Sequence, residues 1–331
     1  METTDERFMD EAIQLAWSVR RSTSPNPWVG CVIVPAPPGG PIYEGVTSPP
    51  GGPHAEAMAL LAAGPASQGA TLYTTLEPCS HTGRTPPCAD AIIAAGVSRV
   101  VVALADPDPL VAGQGLGRLR AAGVDVEVGT KQEAVSEQLA PYIRHRLSGR
   151  PWVVLKLAAT LDGRSAAPDG TSQWITGPEA RRDAHQLRAD SDAILVGAGT
   201  LRVDDPELTA RLDEPVARQP LRVVLGRAPA DARARPLLEY QGELGSLLDD
   251  LGRRGVLQLL VEGGATVAHA FHAAGLVDRY VVYLAPALFG TDQARALFAG
   301  PGGPGMAQLW RGEFVSITRL GPDLKVEMKS S

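Results

Sequence analysis

Apolar positions in the first half of the chain recur at helical spacing, then at strand spacing, and the alternation repeats. In residues 5–20, Phe8, Met9, Ala12, Ile13, Ala16 and Val19 fall near a period of 3.6, which predicts an amphipathic helix. Residues 29–34, with Cys31 among them, form an apolar run that predicts a buried strand. A helix is expected over 53–63, with proline near its first turn and Gly64 just past its end. Strand 71–76, helix 87–95, strand 99–104, helix 115–122 and strand 124–128 follow, and a long helix closes the series near Leu147. This order predicts a sheet with helices on both faces.

Ser148-Gly149-Arg150-Pro151 interrupts the pattern, and a second β/α series begins at Trp152. Its strands are expected at 152–159, 192–197, 221–225, 256–262 and 278–284, and its helices near 178–189, 244–253 and 264–274. Two alternating stretches between Glu313 and Lys329 flank Gly321-Pro322-Asp323, a hairpin pattern. At 331 residues the chain is long for one compact domain and comfortable for two. The break divides it into residues 1–147 and 148–331.

Charge narrows the function class. The net charge is −6; residues 1–147 carry 10 basic and 15 acidic side chains, and residues 148–331 carry 21 and 22. Neither half offers the basic surface that phosphate-backbone binding demands, so a small molecule is favoured over nucleic acid. The acidic start, Met1-Glu2-Thr3-Thr4-Asp5-Glu6, lacks a signal-peptide pattern, and no apolar run reaches the roughly 20 residues of a membrane span. The three cysteines, two at ligand spacing, argue against a disulfide framework. A cytoplasmic protein is expected.

The sharpest chemistry lies in Pro53-His54-Ala55-Glu56, Pro78-Cys79 and, after eight intervening residues, Cys88. One imidazole and two thiolates suit a zinc ion with an open fourth position. Zinc would lower the pKa of water from 15.7 to about 7. Glu56 would take the proton and deliver it to the ring nitrogen and the leaving amine. The order H-x-E…P-C…C resembles that of zinc deaminases, in which the glutamate is acid and base and not a ligand. A closed structural zinc with His81 as fourth ligand is the competing reading; it gives Glu56 no task.

Around this set, the eight-residue insertion is anchored at both ends, so its side chains project at the mouth of the site. Arg84 could clamp a phosphate there or be a solvated surface arginine. Asn26, between Pro25 and Pro27, could hydrogen-bond a polar ring or simply shape a turn. Cys31 reads as core. Asp106-Pro107-Asp108-Pro109 and Gly113-x-Gly115-x-Gly117 are weak signals, the latter not a dinucleotide fingerprint. In the second half, Gly197-Ala198-Gly199-Thr200 and Glu262-Gly263-Gly264 each end a strand and open toward a helix. Such turns let backbone N–H groups approach a phosphate, although tight packing alone would also explain them.

Taken together, Pro25-Asn26-Pro27, His54-Ala55-Glu56, Leu76-Glu77-Pro78-Cys79-Ser80-His81, Gly83-Arg84-Thr85-Pro86-Pro87-Cys88 and Asp106-Pro107-Asp108-Pro109 closely resemble the bifunctional deaminase/reductase family of riboflavin biosynthesis, over nearly the whole chain. The resemblance implies an α/β protein: a cytidine-deaminase-like three-layer α/β/α domain, then a dihydrofolate-reductase-like α/β domain. It implies zinc on His54, Cys79 and Cys88, Glu56 as the catalytic group, and Asn26 and Arg84 on the base and ribose phosphate. In the second half it implies NADPH as cofactor, with Lys156, Ser172, Arg188, Leu208, Arg211 and Glu262 on the substrate. Ala158, Trp174, Thr200, Asp204, Gly263 and Gly264 would face the cofactor. The implied reactions are hydrolytic deamination of a diaminopyrimidinone ribosyl phosphate and NADPH-dependent reduction of its ribosylamino group, in a homo-oligomer. The alternative is a deaminase whose second domain binds without reducing. Three departures from the family stand out. Thr47 occupies the place of a histidine, Arg227 that of a serine, and residues 228–244 are short for the family's further strand and helix, so an edge strand is expected to be missing.

Overall fold

Thr3 caps the first helix: its side chain accepts from the Glu6 N–H while the Glu6 carboxylate accepts from the Thr3 N–H. From that start, the computed structural model describes residues 3–37, 39–80, 87–108, 111–303 and 305–330. The insertion residues His81 and Arg84 lie outside the described residues. The chain divides into two units, Met1–Gly149 and Arg150–Ser331.

The first unit contains α1 (Thr4–Thr23), β1 (Gly30–Val34), β2 (Tyr43–Val46), α2 (Ala55–Ala63), β3 (Thr71–Leu76), α3 (Cys88–Ala94), β4 (Arg99–Leu104), α4 (Gln114–Ala121), β5 (Asp125–Val128), α5 (Gln132–Gln138) and α6 (Ala140–Ser148). Its sheet runs β2-β1-β3-β4-β5, with β1 antiparallel to both neighbours and β3, β4 and β5 parallel. Two glycines show why helices cover both faces. A Cβ on Gly30 would lie 2.0 Å from the Ala12 carbonyl oxygen of α1, and one on Gly45 would lie 2.1 Å from the Ala55 carbonyl oxygen of α2. Gly45 pairs with Cys31, the residue after Gly30, so the two glycines point to opposite faces. α1 and α2 therefore sandwich the sheet.

The second unit contains β6 (Trp152–Thr160), β7 (Arg164–Ala166), α7 (Pro178–Ala189), β8 (Ala193–Gly197), α8 (Ala198–Asp204), β9 (Leu221–Leu225), β10 (Leu238–Tyr240), α9 (Leu244–Arg253), β11 (Gln258–Val261), α10 (Ala265–Ala273), β12 (Arg279–Ala285), β13 (Arg295–Ala296), β14 (Gly312–Leu320) and β15 (Asp323–Ser330). The main sheet runs β10-β9-β8-β11-β6-β12-β15-β14, parallel from β10 to β12 and antiparallel through the final hairpin. β7 and β13 form a separate two-stranded pair. Along β6, Val153, Leu155 and Leu157 pack with Leu247 and Leu251 of α9 and Phe271 of α10. Val154 instead joins Ala180 of α7 and Leu201 of α8. The period of two thus sends Lys156 to the α7 face.

Several expectations need correction. The long closing helix is two helices, α5 and α6, because Pro141 in the first turn of α6 cannot donate back into a preceding helix. Pro53 precedes α2, whose cap is His54. The missing edge strand is present: Leu238–Tyr240 pairs in parallel with Val223–Leu225, and what the short segment lacks is a helix between β9 and β10. Strands β2, β7 and β13 and helix α8 were not legible from periodicity.

Candidate active sites

In the first unit, three chain segments converge at the carboxyl end of β3. His54 caps α2, Cys79 sits in the turn after β3, and Cys88 is the first residue of α3. His54 Nδ1 lies 3.6 Å from Cys79 Sγ and 3.3 Å from Cys88 Sγ, and the three donor atoms all fall within 4.8 Å of one another. The Cys88 backbone N–H donates to Cys79 Sγ at 3.3 Å, as a helix start should to a thiolate. The Cys88 thiol, with help from His54, holds Cys79 down at about 4, and the resulting charge pushes Cys88 up. A soft dication would draw the proton off either thiol. One imidazole and two thiolates at this spacing fit zinc.

Glu56 lies in the first turn of α2, buried, and burial pushes its carboxyl up to about 7. A dication beside it would pull that value down. Cys31 is fully buried in β1, as expected of core. The Asn26 side chain makes no hydrogen bond among the described residues, which leaves its amide free for a ligand. Thr47 is buried, and its hydroxyl accepts from the Val29 N–H at 3.1 Å, so here the position braces the start of β1.

The second unit gathers its polar residues at the carboxyl ends of the parallel strands. Arg188 of α7 forms a two-pronged ion pair with Glu262, Nε to Oε1 at 2.8 Å and Nη2 to Oε2 at 2.7 Å, and also donates to the Thr209 carbonyl at 3.2 Å. Burial alone would raise the Glu262 carboxyl, but Arg188 and then Lys156 outweigh it and hold Glu262 at about 2. Burial lowers the Lys156 ammonium, which sits 5.7 Å from the Tyr283 ring centroid. Arg211 donates to Glu207 at 2.9 Å and lies 3.3 Å from His185. Leu208 has φ +53° and a side chain buried in the core, so only its backbone can face a ligand.

The residues expected at a cofactor fall beside this group. A Cβ on Gly264 would meet only Thr200 Oγ1, at 3.8 Å, and one on Gly199 would meet nothing within 4 Å. Since β8 and β11 are neighbours, the two glycine turns lie side by side with open space above them. A Cβ on Gly263 would instead strike Val267 at 2.4 Å, so that glycine serves helix packing. Ser172 Oγ lies 3.5 Å from Asp204 Oδ1. Trp174 is 69% exposed beneath the Arg181 guanidinium, 4.6 Å from its ring centroid. Ala158 shares the face of Lys156, two residues along β6. The open, glycine-lined backbone at two strand ends fits a dinucleotide phosphate.

Sequence reasoning missed His185, which faces both Arg188 and Arg211, and the support beneath Lys156. There the Tyr283 hydroxyl donates to Asp183, which is paired with Lys325 at 3.0 Å. Neither carries a motif; only the β6–β12 register and the packing of α7 bring them together.

Each half of the chain matches a known family. Residues 2–104 match the cytidine and deoxycytidylate deaminase zinc-binding region, and residues 151–326 match the RibD C-terminal domain. The riboflavin biosynthesis protein RibD of Escherichia coli K12 is 43% identical over 361 residues, covering 97% of this chain and 98% of that protein. RibD of Mycobacterium tuberculosis H37Rv is 43% identical over 336 residues, covering 97% of each. Acinetobacter baumannii RibD, form 1, superposes with a TM-score of 0.92 at 39% identity, covering 99% of both chains. A deaminase/reductase from Thermotoga maritima gives 0.89 at 34%, again covering 99% of both. With relatives this similar along their entire length, the chain belongs to the RibD family of riboflavin biosynthesis proteins.

Proposed function

We propose that the His54–Cys79–Cys88 cluster with Glu56 performs the deamination and that the Lys156–Arg188–Glu262 group performs the reduction. The chain is a bifunctional riboflavin biosynthesis enzyme. It deaminates 2,5-diamino-6-ribosylamino-4(3H)-pyrimidinone 5′-phosphate, then reduces the ribosylamino side chain to ribitylamino. Its cofactors are zinc and NADPH. When bound, zinc makes water a nucleophile near neutral pH, and NADPH supplies hydride. The observation that carries the reading is the convergence of one imidazole and two thiolates within 4.8 Å beside a buried glutamate, on a chain that also carries the reductase residues.

Glu56 takes one proton from the attacking water to the ring nitrogen and then carries the second, from the hydroxyl so formed, to the amine, which departs as ammonia, a task its buried position suits. Asn26 holds the ring, and Arg84, outside the described residues, grips the phosphate. In the reductase, Arg188 is fixed by Glu262, and together with Lys156, Ser172, Arg211 and the Leu208 backbone it orients the substrate. The Gly263-Gly264 turn with Ala158, Thr200, Trp174 and Asp204 holds NADPH. We place the deaminase in residues 1–147 and the reductase in 148–331.

Among the described residues no helix is long and apolar enough to cross a membrane, and all three cysteines are free; both support a cytoplasmic setting. Edge strand β14 exposes Phe314 (68%) and Ile317 (59%), the kind of apolar edge that a second copy covers, which supports a homo-oligomer. Mass spectrometry of the diaminopyrimidinone phosphate after incubation tests the function. Deamination is expected without NADPH, and deamination plus two added hydrogens with it. An unchanged substrate with zinc-loaded protein would refute the reading.

A further inference from the structure

Glu77, in the turn between β3 and Cys79, is buried, and its carboxylate accepts four backbone N–H groups. Oε2 accepts from Asp106 at 3.1 Å and Gly113 at 3.0 Å, and Oε1 accepts from Gly115 at 2.9 Å and Leu116 at 3.2 Å. A carboxylate has about four lone-pair sites, and all are filled. These four donors lie in the two segments the sequence left without a task, the Asp106–Asp108 run after β4 and the glycine run that opens α4. Gly113 stands at φ +76°, where glycine is at ease, and a Cβ on Gly115 would lie 2.0 Å from the Pro78 carbonyl oxygen. The glycine run therefore wraps an anion, but that anion belongs to the protein.

Arg118 of α4 and Ala89 of α3 each add a further tie to the metal turn. Arg118 donates to the Ser80 carbonyl at 3.3 Å and pairs with Asp90 of α3 at 2.6 Å, and the Ala89 N–H donates to the Cys79 carbonyl at 3.1 Å. Glu77 is itself the hinge between β3 and Cys79: its own N–H donates to the Leu104 carbonyl at 2.9 Å. We propose that Glu77 is a positioning residue for the deaminase, whose carboxylate binds the loop after β4 and the start of α4 to the Pro78-Cys79 turn and so holds the Cys79 thiolate in ligand geometry. Charge-assisted bonds to four amides make this a strong tie on the Cys79 segment.

The inference rests on the deaminase reading, yet it is read out on metal geometry and amide exchange, so it can fail while deamination stands. In the full chain, Glu77→Gln turns one acceptor into a donor facing two N–H groups. The variant is expected to release zinc to a chromogenic chelator about 10- to 100-fold faster. Its cobalt(II)-loaded form should show a weakened thiolate-to-cobalt charge-transfer band, and the amides of Asp106, Gly113, Gly115 and Leu116 should lose hydrogen-exchange protection. Protection of β3 and NADPH oxidation on deaminated substrate should stay at wild-type levels. Gly115→Ala keeps Glu77 but drives α4 from Pro78, and should reproduce the cobalt and zinc effects. A wild-type cobalt spectrum and zinc release rate in Glu77→Gln would overturn the proposal. So would loss of β3 protection in both variants, since Glu77 would then support the whole unit and not the metal turn.

Discussion

At the scale of single residues, each site separates groups that bind from groups that react. Cys79→Ser or Cys88→Ser removes a thiolate that a hydroxyl does not replace as a zinc ligand, so bound zinc and deamination should both be lost. Glu56→Gln keeps the ligands, and metal analysis should find zinc at wild-type stoichiometry while ammonia release falls by at least about a hundredfold. Near-normal turnover in Glu56→Gln would remove it from the mechanism. Glu262 makes a second prediction. Its folded-state carboxyl, held at about 2 against an ordinary 4.5, binds fewer protons folded than unfolded. Its stabilisation is therefore complete above about pH 4.5 and lost as the pH falls toward 2. Thermal melts between pH 6 and pH 3 should show a steeper loss for wild type than for Glu262→Gln. At pH 6 the variant should be less stable by about 3 kcal/mol, because Arg188 is left buried without its partner.

At the scale of elements, function sits where strands end and helices begin. α2 delivers His54 at its cap and α3 delivers Cys88 as its first residue, and the ends of β8 and β11 bring two glycine turns side by side. The paired glycines of the second turn differ in purpose. Gly263→Ala puts a methyl into Val267 and should lower the melting temperature; Gly264→Ala meets open space and should leave it unchanged. Gly264→Ala should instead raise the KM for NADPH by about tenfold, 1.4 kcal/mol of lost binding, as its methyl enters the phosphate cradle. An unchanged KM would move the cofactor off this turn. The short segment before α9 is less damaging than its length suggested, because β10 keeps the sheet edge beside β9 and only a helix is gone.

At the scale of the whole molecule, two units each contain their own sheet, core and chemistry. A residues 148–331 polypeptide should therefore fold and oxidise NADPH when given the deaminated substrate. Lys156→Ala in that polypeptide should cut the rate at least about tenfold. No oxidation by a folded polypeptide, and none by the full chain, would reduce this half to a binding domain. Zinc chelation of the full chain should stop deamination while reduction of supplied intermediate continues, a separation that steady-state assays of each step would show.

Much of this was legible along the chain. Periodicity located the long helices and buried strands because a half-buried element must repeat its apolar face. His54, Glu56, Cys79 and Cys88 were legible because metal chemistry restricts residue type and spacing. The short elements β2, β7, β10, β13 and α8 were not, since no apolar run or repeating face marks them along the chain. Nor were Glu77's clasp, the pairing of Arg188 with Glu262 across 74 residues, or Tyr283 beneath Lys156. A local motif records what one segment must be, and so the sequence alone determined the fold class and the set of residues that could hold a metal. Which distant backbone amide or guanidinium satisfies a buried carboxylate depends on strand order and helix packing, and only the tertiary structure decided that.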